Sequence, residues 1–396
     1  MKTKMKNTHV LFIVENAVVP YDVRVWREAK AIKDSKYQVS IISPKGGNSK
    51  ETITTIDGIK IYRYPSVLNR RGFGAIIFEY INALFWQFIF SLFIYILNPF
   101  KIIHAANPPD TIFIVGLLFK LFGVKYIFDH HDLSPELYEV KFLPKRNLVY
   151  KSLILFEKIS CKFADVIIST NESYKQIVIE RHKIDPHKIT IVRNDPYVRQ
   201  RPMKLNRGSL YYIFYIGSIN KQDGVDILIK AINILVHDLN RINIKCTVVG
   251  DGDALNSAKQ LVLDFGLLDY VFFTGFVLNK DKIYEYFKSS DICVEPAPDN
   301  NLNYHSTFIK IMEYMSFCKP IVAFDLSETR YSAMDSALFV NPGDTKGFAE
   351  AIERLIIDDH LSEELGEAGY NRVKQKLNWQ NSTKSLKKLY TSLIKH

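Results

Sequence analysis

The residues best suited to chemistry follow a short apolar run late in the sequence. After ICV at 292–294 comes EPAPDNNLNYHSTFIKIMEYMSFCKPIVAFD. His305, Ser306 and Thr307 precede a helical pattern in which Phe308, Ile311, Met312 and Met315 recur on one face, with Ser306 or Thr307 as the N-cap. Lys310 and Glu313, three residues apart, share the opposite face. A helix that opens just beyond a strand offers free N–H groups and the positive end of its dipole to an anion. Lys310 adds a cation one turn in, and Glu313 can accept hydrogen bonds from a ribose diol. Together these groups suit a nucleoside diphosphate. A buried amphipathic helix with an ordinary exposed ion pair accounts for the same spacing. The second candidate is the adjacent pair His130 and His131 in YIFDHHDLSPELY, at the end of another apolar run. Capping or hydrogen-bonded histidines are the plainer account of it.

Such groups must be held by the elements around them. Short β-branched runs alternate with helix-length segments, the pattern of parallel βα units. Strands are expected at 10–14, 39–42, 102–104, 126–128, 166–169 and 189–192, and again at 211–216, 246–249, 271–273, 292–294 and 321–324. Between the two series lies NDPYVRQRPMKLNRGS (194–209), which is polar and has no apolar period. The pattern predicts two doubly wound, Rossmann-like α/β domains over 1–198 and 210–375, a linker over 199–209, and a helix over 376–396 that packs back on the first domain. Ligands of open parallel sheets sit at the carboxyl ends of the strands. Two such edges facing each other across a cleft would make one site.

Composition narrows the class. The 396 residues, 47% of them hydrophobic, are enough for two cores and exclude a disordered or collagen-like chain. Cys161, Cys246, Cys293 and Cys318 are far apart and form no CxxC pair, as expected of buried thiols in a reducing compartment. The basic start is followed by an apolar run of only Val10 to Val14, too short for a signal peptide, which points to the cytoplasm. No GxGxxG follows the first strand, against a nicotinamide oxidoreductase, and no basic recognition helix suggests nucleic acid. Residues 1–210 carry 32 Lys+Arg against 18 Asp+Glu, and the remainder 20 against 24, so an anionic surface partner is expected for the front half only. In the apolar segment 75–100, only Gln87 and Ser91 are polar between Ala83 and Leu97. It reads either as a buried helix or as one lying in a membrane interface beside Trp86, Arg70, Arg71, Lys141, Lys145 and Arg146; Glu79, Asn82 and Gln87 argue against a full span. Arg24 and Glu28, in PYDVRVWREAKAI, can pair on a helix face.

HSTFIKIMEYMS resembles the donor-nucleotide motif of the retaining glycosyltransferases of family 4, in a branch where an STxxK segment replaces the usual glycine-rich turn. YIGSINKQDGVDILIKAI from Tyr215, VVGDGDAL (248–255), FTGFV (273–277), HAANPPD, VRNDP and the two segments around Arg24 and His131 resemble other parts of the same family, in the same order and over nearly the whole chain. The resemblance implies the GT-B fold, with acceptor in the front domain and nucleotide sugar in the back. Gly217, Lys221, Gly250, Gly252, Thr274, Gly275, Phe276, His305, Ser306, Thr307, Lys310 and Glu313 are the implied donor contacts. Among them Ser306, Thr307 and Lys310 meet the diphosphate and Glu313 the ribose. His131, with His130 as its alternative, is implied to orient acceptor and donor sugar, and these two with Glu313 form the expected catalytic set. Arg24, Arg70, Arg71, Trp86, Lys145 and Arg146 are the expected membrane or acceptor contacts. Ser218 stands where the family's arginine is usual, and His305 where the first of its two glutamates is usual. The implied activity is retaining transfer of a hexose from a UDP- or GDP-sugar to a lipid-linked acceptor at the inner membrane surface, in capsule, O-antigen or exopolysaccharide assembly. No metal or cofactor is implied, and the DGD at 251–253 reads as turn chemistry. A nucleotide-sugar epimerase of the same architecture, or a catalytically degenerate scaffold, are the alternatives.

Overall fold

The structure is a computed structural model that describes residues 8–47, 51–66, 73–142, 147–201 and 209–395. The chain divides into two compact units, Met1–Asn194 with Ser382–His396, and Asp195–Asn381. The division falls at Asn194/Asp195, ahead of the expected linker, whose residues 202–208 lie outside the described part.

Among the described residues the first unit has one sheet of eight strands: β1 (His9–Ile13), β2 (Gln38–Pro44), β3 (Ile53–Ile56), β4 (Ile59–Tyr64), β5 (Ile102–Ala106), β6 (Lys125–His130), β7 (Val166–Ser169) and β8 (Ile189–Ile191). Their order is β3-β4-β2-β1-β5-β6-β7-β8. All neighbours are parallel except β3 with β4. Central β1 reads HVLFI and is buried at every position, because crossover helices cover both faces of a parallel sheet. Val10 pairs with Val39 on one side and Ile102 on the other. Leu11, Ile13, Ile103, Ala105, Tyr126 and Phe128 supply part of the core on one face.

The second unit has β9 (Tyr211–Ile216), β10 (Ile244–Val249), β11 (Val271–Gly275), β12 (Ile292–Glu295), β13 (Ile321–Phe324) and β14 (Ala337–Val340), in the order β11-β10-β9-β12-β13-β14 and all parallel. Ile213, Tyr215, Val248, Val294, Val322 and Leu228 lie in its largest apolar cluster. In both sheets the strand order reverses beside the first strand, between β1 and β5 and between β9 and β12. The loops leaving these strands diverge there, which opens a crevice for a ligand.

Each of the eleven expected strands is present. β3, β4 and β14 have no counterpart in the sequence reading. For β3 and β4 a signal existed: Asp57 and Gly58 have φ of 47° and 72°, the left-handed pair of a tight Asp-Gly hairpin between two short β-branched runs. β14 is only four residues long and two of its positions are half-buried, so it has little periodicity to read.

Candidate functional site

In the second unit the switch point collects three loops. Gly217 follows β9, and its N–H donates to Val249 O at the end of β10 (3.0 Å). Gly250 N–H donates in turn to Gly275 O after β11 (3.1 Å). Gly217 and Gly250 have φ of 155° and 148°. A Cβ on Gly250 would stand 1.8 Å from Gly217 O, and one on Gly217 would stand 2.8 Å from Lys310 Nζ. The first clash is with backbone, so only glycine lets these loops meet. Gly252 lies in the same stitch, its N–H donating to Asp251 Oδ1 (2.7 Å), while Asp253 N–H donates to Asn220 Oδ1 (3.1 Å). This is turn chemistry within the GDGD segment.

Lys310 lies in the helix Ile309–Ser316, which follows β12. Its Nζ is 2.9 Å from Glu295 Oε2, donates to the Tyr215 hydroxyl at 3.2 Å and lies over the Tyr215 ring at 4.3 Å. Tyr215 donates onward to Ser218 O (2.7 Å). Lys310 is therefore not on a solvated face: its side chain is 11% exposed and that of Glu295 1%. Burial opposes the charge on Lys310, but the Glu295 carboxylate outweighs it and holds the ammonium well above its ordinary range. Burial pushes Glu295 up, and Lys310 pulls it back.

The expected N-cap is corrected. Phe308 is the N-cap, with no side-chain cap bond, because both hydroxyls are engaged elsewhere: Ser306 Oγ donates to Leu302 O (2.7 Å) and Thr307 Oγ1 to Glu328 Oε2 (3.2 Å). His305 ends the short turn Asn303–His305. Asn303 Nδ2 donates to Gln222 O and Pro298 O (both 2.8 Å), tying this loop to the turn that carries exposed Lys221. Thr274 donates to Gly275 O (2.9 Å), and Phe276 beside it is 70% exposed. Glu313 is half-buried, one turn beyond Lys310.

In the first unit the two histidines separate. Successive side chains at a strand end point to opposite faces. His130 is wholly buried, its Nε2 3.0 Å from Glu157 Oε1, and Glu157 also meets Arg181 Nη1 (2.9 Å) and His182 Nε2 (2.6 Å). That network removes His130 as an alternative to His131, since no substrate atom can reach it. His131 Nδ1 is 3.3 Å from Asp129 Oδ2, and its main-chain N–H donates to Asn107 Oδ1 (2.8 Å). Asp129 also accepts from Arg24 Nε (3.0 Å) and Nη2 (2.8 Å). Arg24 reaches Val192 O through Nη1 (3.0 Å) and lies 3.1 Å from Glu28 Oε1. Its expected place at a membrane or acceptor face is thus corrected: the pairing with Glu28 exists, but inside the domain, where every guanidinium nitrogen is engaged.

His104 from β5 completes the cluster. Its Nε2 faces Glu28 Oε2 (3.3 Å) and Asp129 Oδ2 (3.6 Å), so this nitrogen carries the hydrogen and Nδ1 accepts from the Tyr390 hydroxyl (2.7 Å). Burial lowers the pKa of His104 and keeps it neutral. Burial also disfavours charge on His131, but its bond to Asp129 prevails and lifts it to about 9. Burial opposes ionisation of Asp129 as well, yet Arg24 and the histidines hold it well below the usual carboxylate range. Burial raises Glu28 to about 8. Glu28, His104 and Asp129 bring ligand atoms within 4.8 Å of one another, as a metal site does, but the charge between the carboxylates is supplied by Arg24. With Nδ1 turned to Asp129, His131 has Nε2 left for other partners.

The sequence reading missed Glu295, Tyr215, Asp129, His104 and Asn107. Asp129 was accessible, two residues before His131 and hence on the same face of a strand. Trp86 is half-buried, its ring 5.8 Å from that of Phe90. Arg70, Arg71, Lys145 and Arg146 lie outside the described residues.

Two Rossmann-like sheets in series, one with three glycine loops and a buried lysine at its switch point, define the GT-B class of α/β proteins. The family models agree: residues 22–194 match Glycosyltransferase Family 4, and 211–358 match Glycosyl transferases group 1. The chain belongs to glycosyltransferase family 4, whose members typically act without an essential metal. It is 24% identical to an uncharacterized glycosyltransferase of Methanocaldococcus jannaschii over 378 residues, 91% of this chain and 92% of that one. It is 26% identical to the capsular polysaccharide biosynthesis glycosyltransferase CapM of Staphylococcus aureus, over 62% of this chain and 66% of CapM. Among solved structures, Anabaena HepE in complex with UDP and glucose matches with a TM-score of 0.73 at 15% identity, over 97% of this chain and 99% of that one, a likeness of fold.

Proposed function

We propose that the enzyme transfers a hexose, with retention, from a UDP- or GDP-sugar to a lipid-linked acceptor in cell-surface polysaccharide assembly, at the cytoplasmic face of the membrane. The observation that carries this reading is the meeting of the Gly217 and Gly250 loops with the Lys310 ammonium at the switch point of the second sheet. Breaking a glycosidic bond to a diphosphate leaves negative charge on the departing group. A pre-placed cation and main-chain N–H groups stabilise that charge without reorganising. In this reading the second unit holds the donor: Lys310 meets the diphosphate with Ser306 and Thr307, and Glu313 meets the ribose. The first unit holds the acceptor, with His131 Nε2 presented to the sugars. The UDP and glucose bound by HepE and the capsule role of CapM support the donor and pathway assignments. The basic, aromatic front half supports an anionic lipid-linked acceptor.

Thermal unfolding with saturating UDP, GDP, ADP or NAD, each with and without EDTA, tests the donor site. A ligand at 100 times its dissociation constant adds about 2.7 kcal/mol. An EDTA-insensitive rise with UDP or GDP is expected, and Glu313→Ala is expected to abolish it. No rise with any nucleoside diphosphate overturns the reading. Incubating a nucleotide sugar without acceptor separates transfer from epimerisation, since only an epimerase converts the donor alone.

A further inference from the structure

The helix Phe73–Leu97 reverses the usual distribution of polar and apolar residues. Ala83, Gln87, Ser91 and Ile94, spaced along one stripe, are at most 1% exposed. The segment's two polar residues past Asn82 thus face the protein, where Gln87 Nε2 donates to the Tyr64 hydroxyl (3.4 Å). The outer stripe is Phe78, Ile81, Phe85, Ile89, Phe93 and Ile96, exposed by 39 to 72%. Phe119 and Phe122, at and just past the end of the helix Phe113–Lys120, continue the contact: the Tyr95 ring lies 5.3 Å and 5.8 Å from theirs. Leu117, Leu121 and Phe122 extend the exposed apolar surface. Single exposed apolar residues are ordinary, but a continuous apolar face of this length marks an interaction surface.

The chemistry of the face selects its partner. A helix of 25 residues rises ~37 Å at 1.5 Å per residue, enough to cross a bilayer. Its inner stripe, which carries Gln87 and Ser91 and packs against β2 and β4, opposes crossing. A protein partner would form hydrogen bonds at roughly one per 100–200 Å², and the outer stripe offers no side-chain group for them. Acyl chains need none. At the carboxyl end of the helix stand exposed Lys101 and half-exposed Lys120 and Lys125. Asp165 lies 3.5 Å and 3.8 Å from the latter two and leaves that rim net positive.

We infer that this face docks on an anionic lipid bilayer, the helix lying in the plane of the interface with its outer stripe among the acyl chains. The inference deepens the lipid-linked reading above and rests on it only for its purpose. Interfacial helices of this kind combine apolar insertion with attraction of basic groups to acidic headgroups.

The full-length protein is floated with vesicles of phosphatidylcholine alone and of phosphatidylcholine with phosphatidylglycerol. The wild type should rise with both and more with the anionic mixture. F85D/I89D/F93D should lower partitioning on the order of a hundredfold. K101E/K120E should lose only the anionic preference. Because all three apolar positions are exposed, the triple variant should keep its far-ultraviolet spectrum and its thermal response to UDP. Loss of the UDP response in wild type with flotation intact would remove the enzymatic reading and leave this one. Wild type that stays at the bottom with both vesicles overturns the inference. So does a vesicle-independent dimer that F85D/I89D/F93D makes monomeric, or protease access to the helix termini from opposite sides of a sealed vesicle.

Discussion

Each unit buries a cation against carboxylates at the carboxyl edge of its sheet, but the two arrangements differ in how charge is shared. In the second unit Lys310 faces one carboxylate, Glu295, and a tyrosine hydroxyl. In the first, Arg24 faces Asp129 and Glu28 while also bonding Val192 O, and two further histidines touch Asp129. A lone lysine pair remains able to engage an arriving anion, since an ammonium has three donors and no fixed plane. The arginine has spent its fork on the protein. It builds a frame whose one outward product is the orientation of His131. In the function proposed above, the first cluster sets geometry and the second supplies charge.

Removing each cation is the sharpest way to break that contrast. Arg24→Leu strands Asp129, which is held well below the usual carboxylate range, and Glu28 beside it. The expected loss is about 3–5 kcal/mol of stability, as for a buried pair missing one partner. Lys310→Met strands only Glu295, which burial already pushes toward its neutral form, so protonation relieves most of the cost. A loss of about 1–3 kcal/mol is expected, with the response to UDP gone. Urea unfolding of both variants measures the difference. Equal losses would mean that the two clusters are equivalent structural pairs.

The pH dependence should separate the units next. His131 rises from an ordinary 6.5 to about 9 on folding, so the folded chain holds this proton more tightly. Its contribution is complete below about pH 6.5 and is lost as pH climbs through about 9, amounting to about 3–4 kcal/mol at ~1.4 kcal/mol per unit. Glu28, raised to about 8, acts in the same direction, because its deprotonation in a buried site costs more in the folded chain. The unfolding midpoint should therefore fall between pH 7 and 9. Asp129→Asn removes the charge that holds the His131 proton and should flatten this fall, although it lowers the midpoint at neutral pH. A wild-type midpoint constant from pH 7 to 9 would show that His131 is not bound as described.

Much of this was legible because strand ends announce themselves. β-branched runs with helical spacers located all eleven expected strands, and the segment after β12 pointed to Lys310. What the pattern did not carry was direction. Lys310 and Glu313 share a face at three-residue spacing, but the long lysine side chain swings back to Glu295, a residue 15 positions earlier that only the sheet brings near. Likewise Arg24 looks like a surface partner of Glu28 until β6 supplies Asp129, 105 residues away. Ser306 and Thr307 have the right chemistry for a cap, yet their hydroxyls are drawn to Leu302 and Glu328. Local spacing fixes which residues are neighbours on an element; which charge they meet is decided by topology.

The finest test concerns the far end of the frame. Tyr390, in the helix Trp379–Lys395, is buried and donates to His104 Nδ1, while its ring lies 6.1 Å from that of His104 and 5.7 Å edge-on to Tyr37. Tyr390→Phe keeps both ring contacts and removes only the hydroxyl, leaving His104 Nδ1 without its donor. The expected cost is about 1 kcal/mol. It should fall on the first unit alone, lowering the unfolding midpoint slightly and leaving the rise caused by UDP unchanged. His104 can then exchange its tautomer, moving the hydrogen from Nε2 to Nδ1 and withdrawing a donor from Asp129. The ¹⁵N shifts of the imidazole nitrogens report this directly: in the wild type the His104 Nε2 should be the protonated one, and in Tyr390→Phe the two should average. An unchanged His104 spectrum would mean that the carboxylates alone fix the tautomer, and that the final helix contributes packing without orienting the cluster.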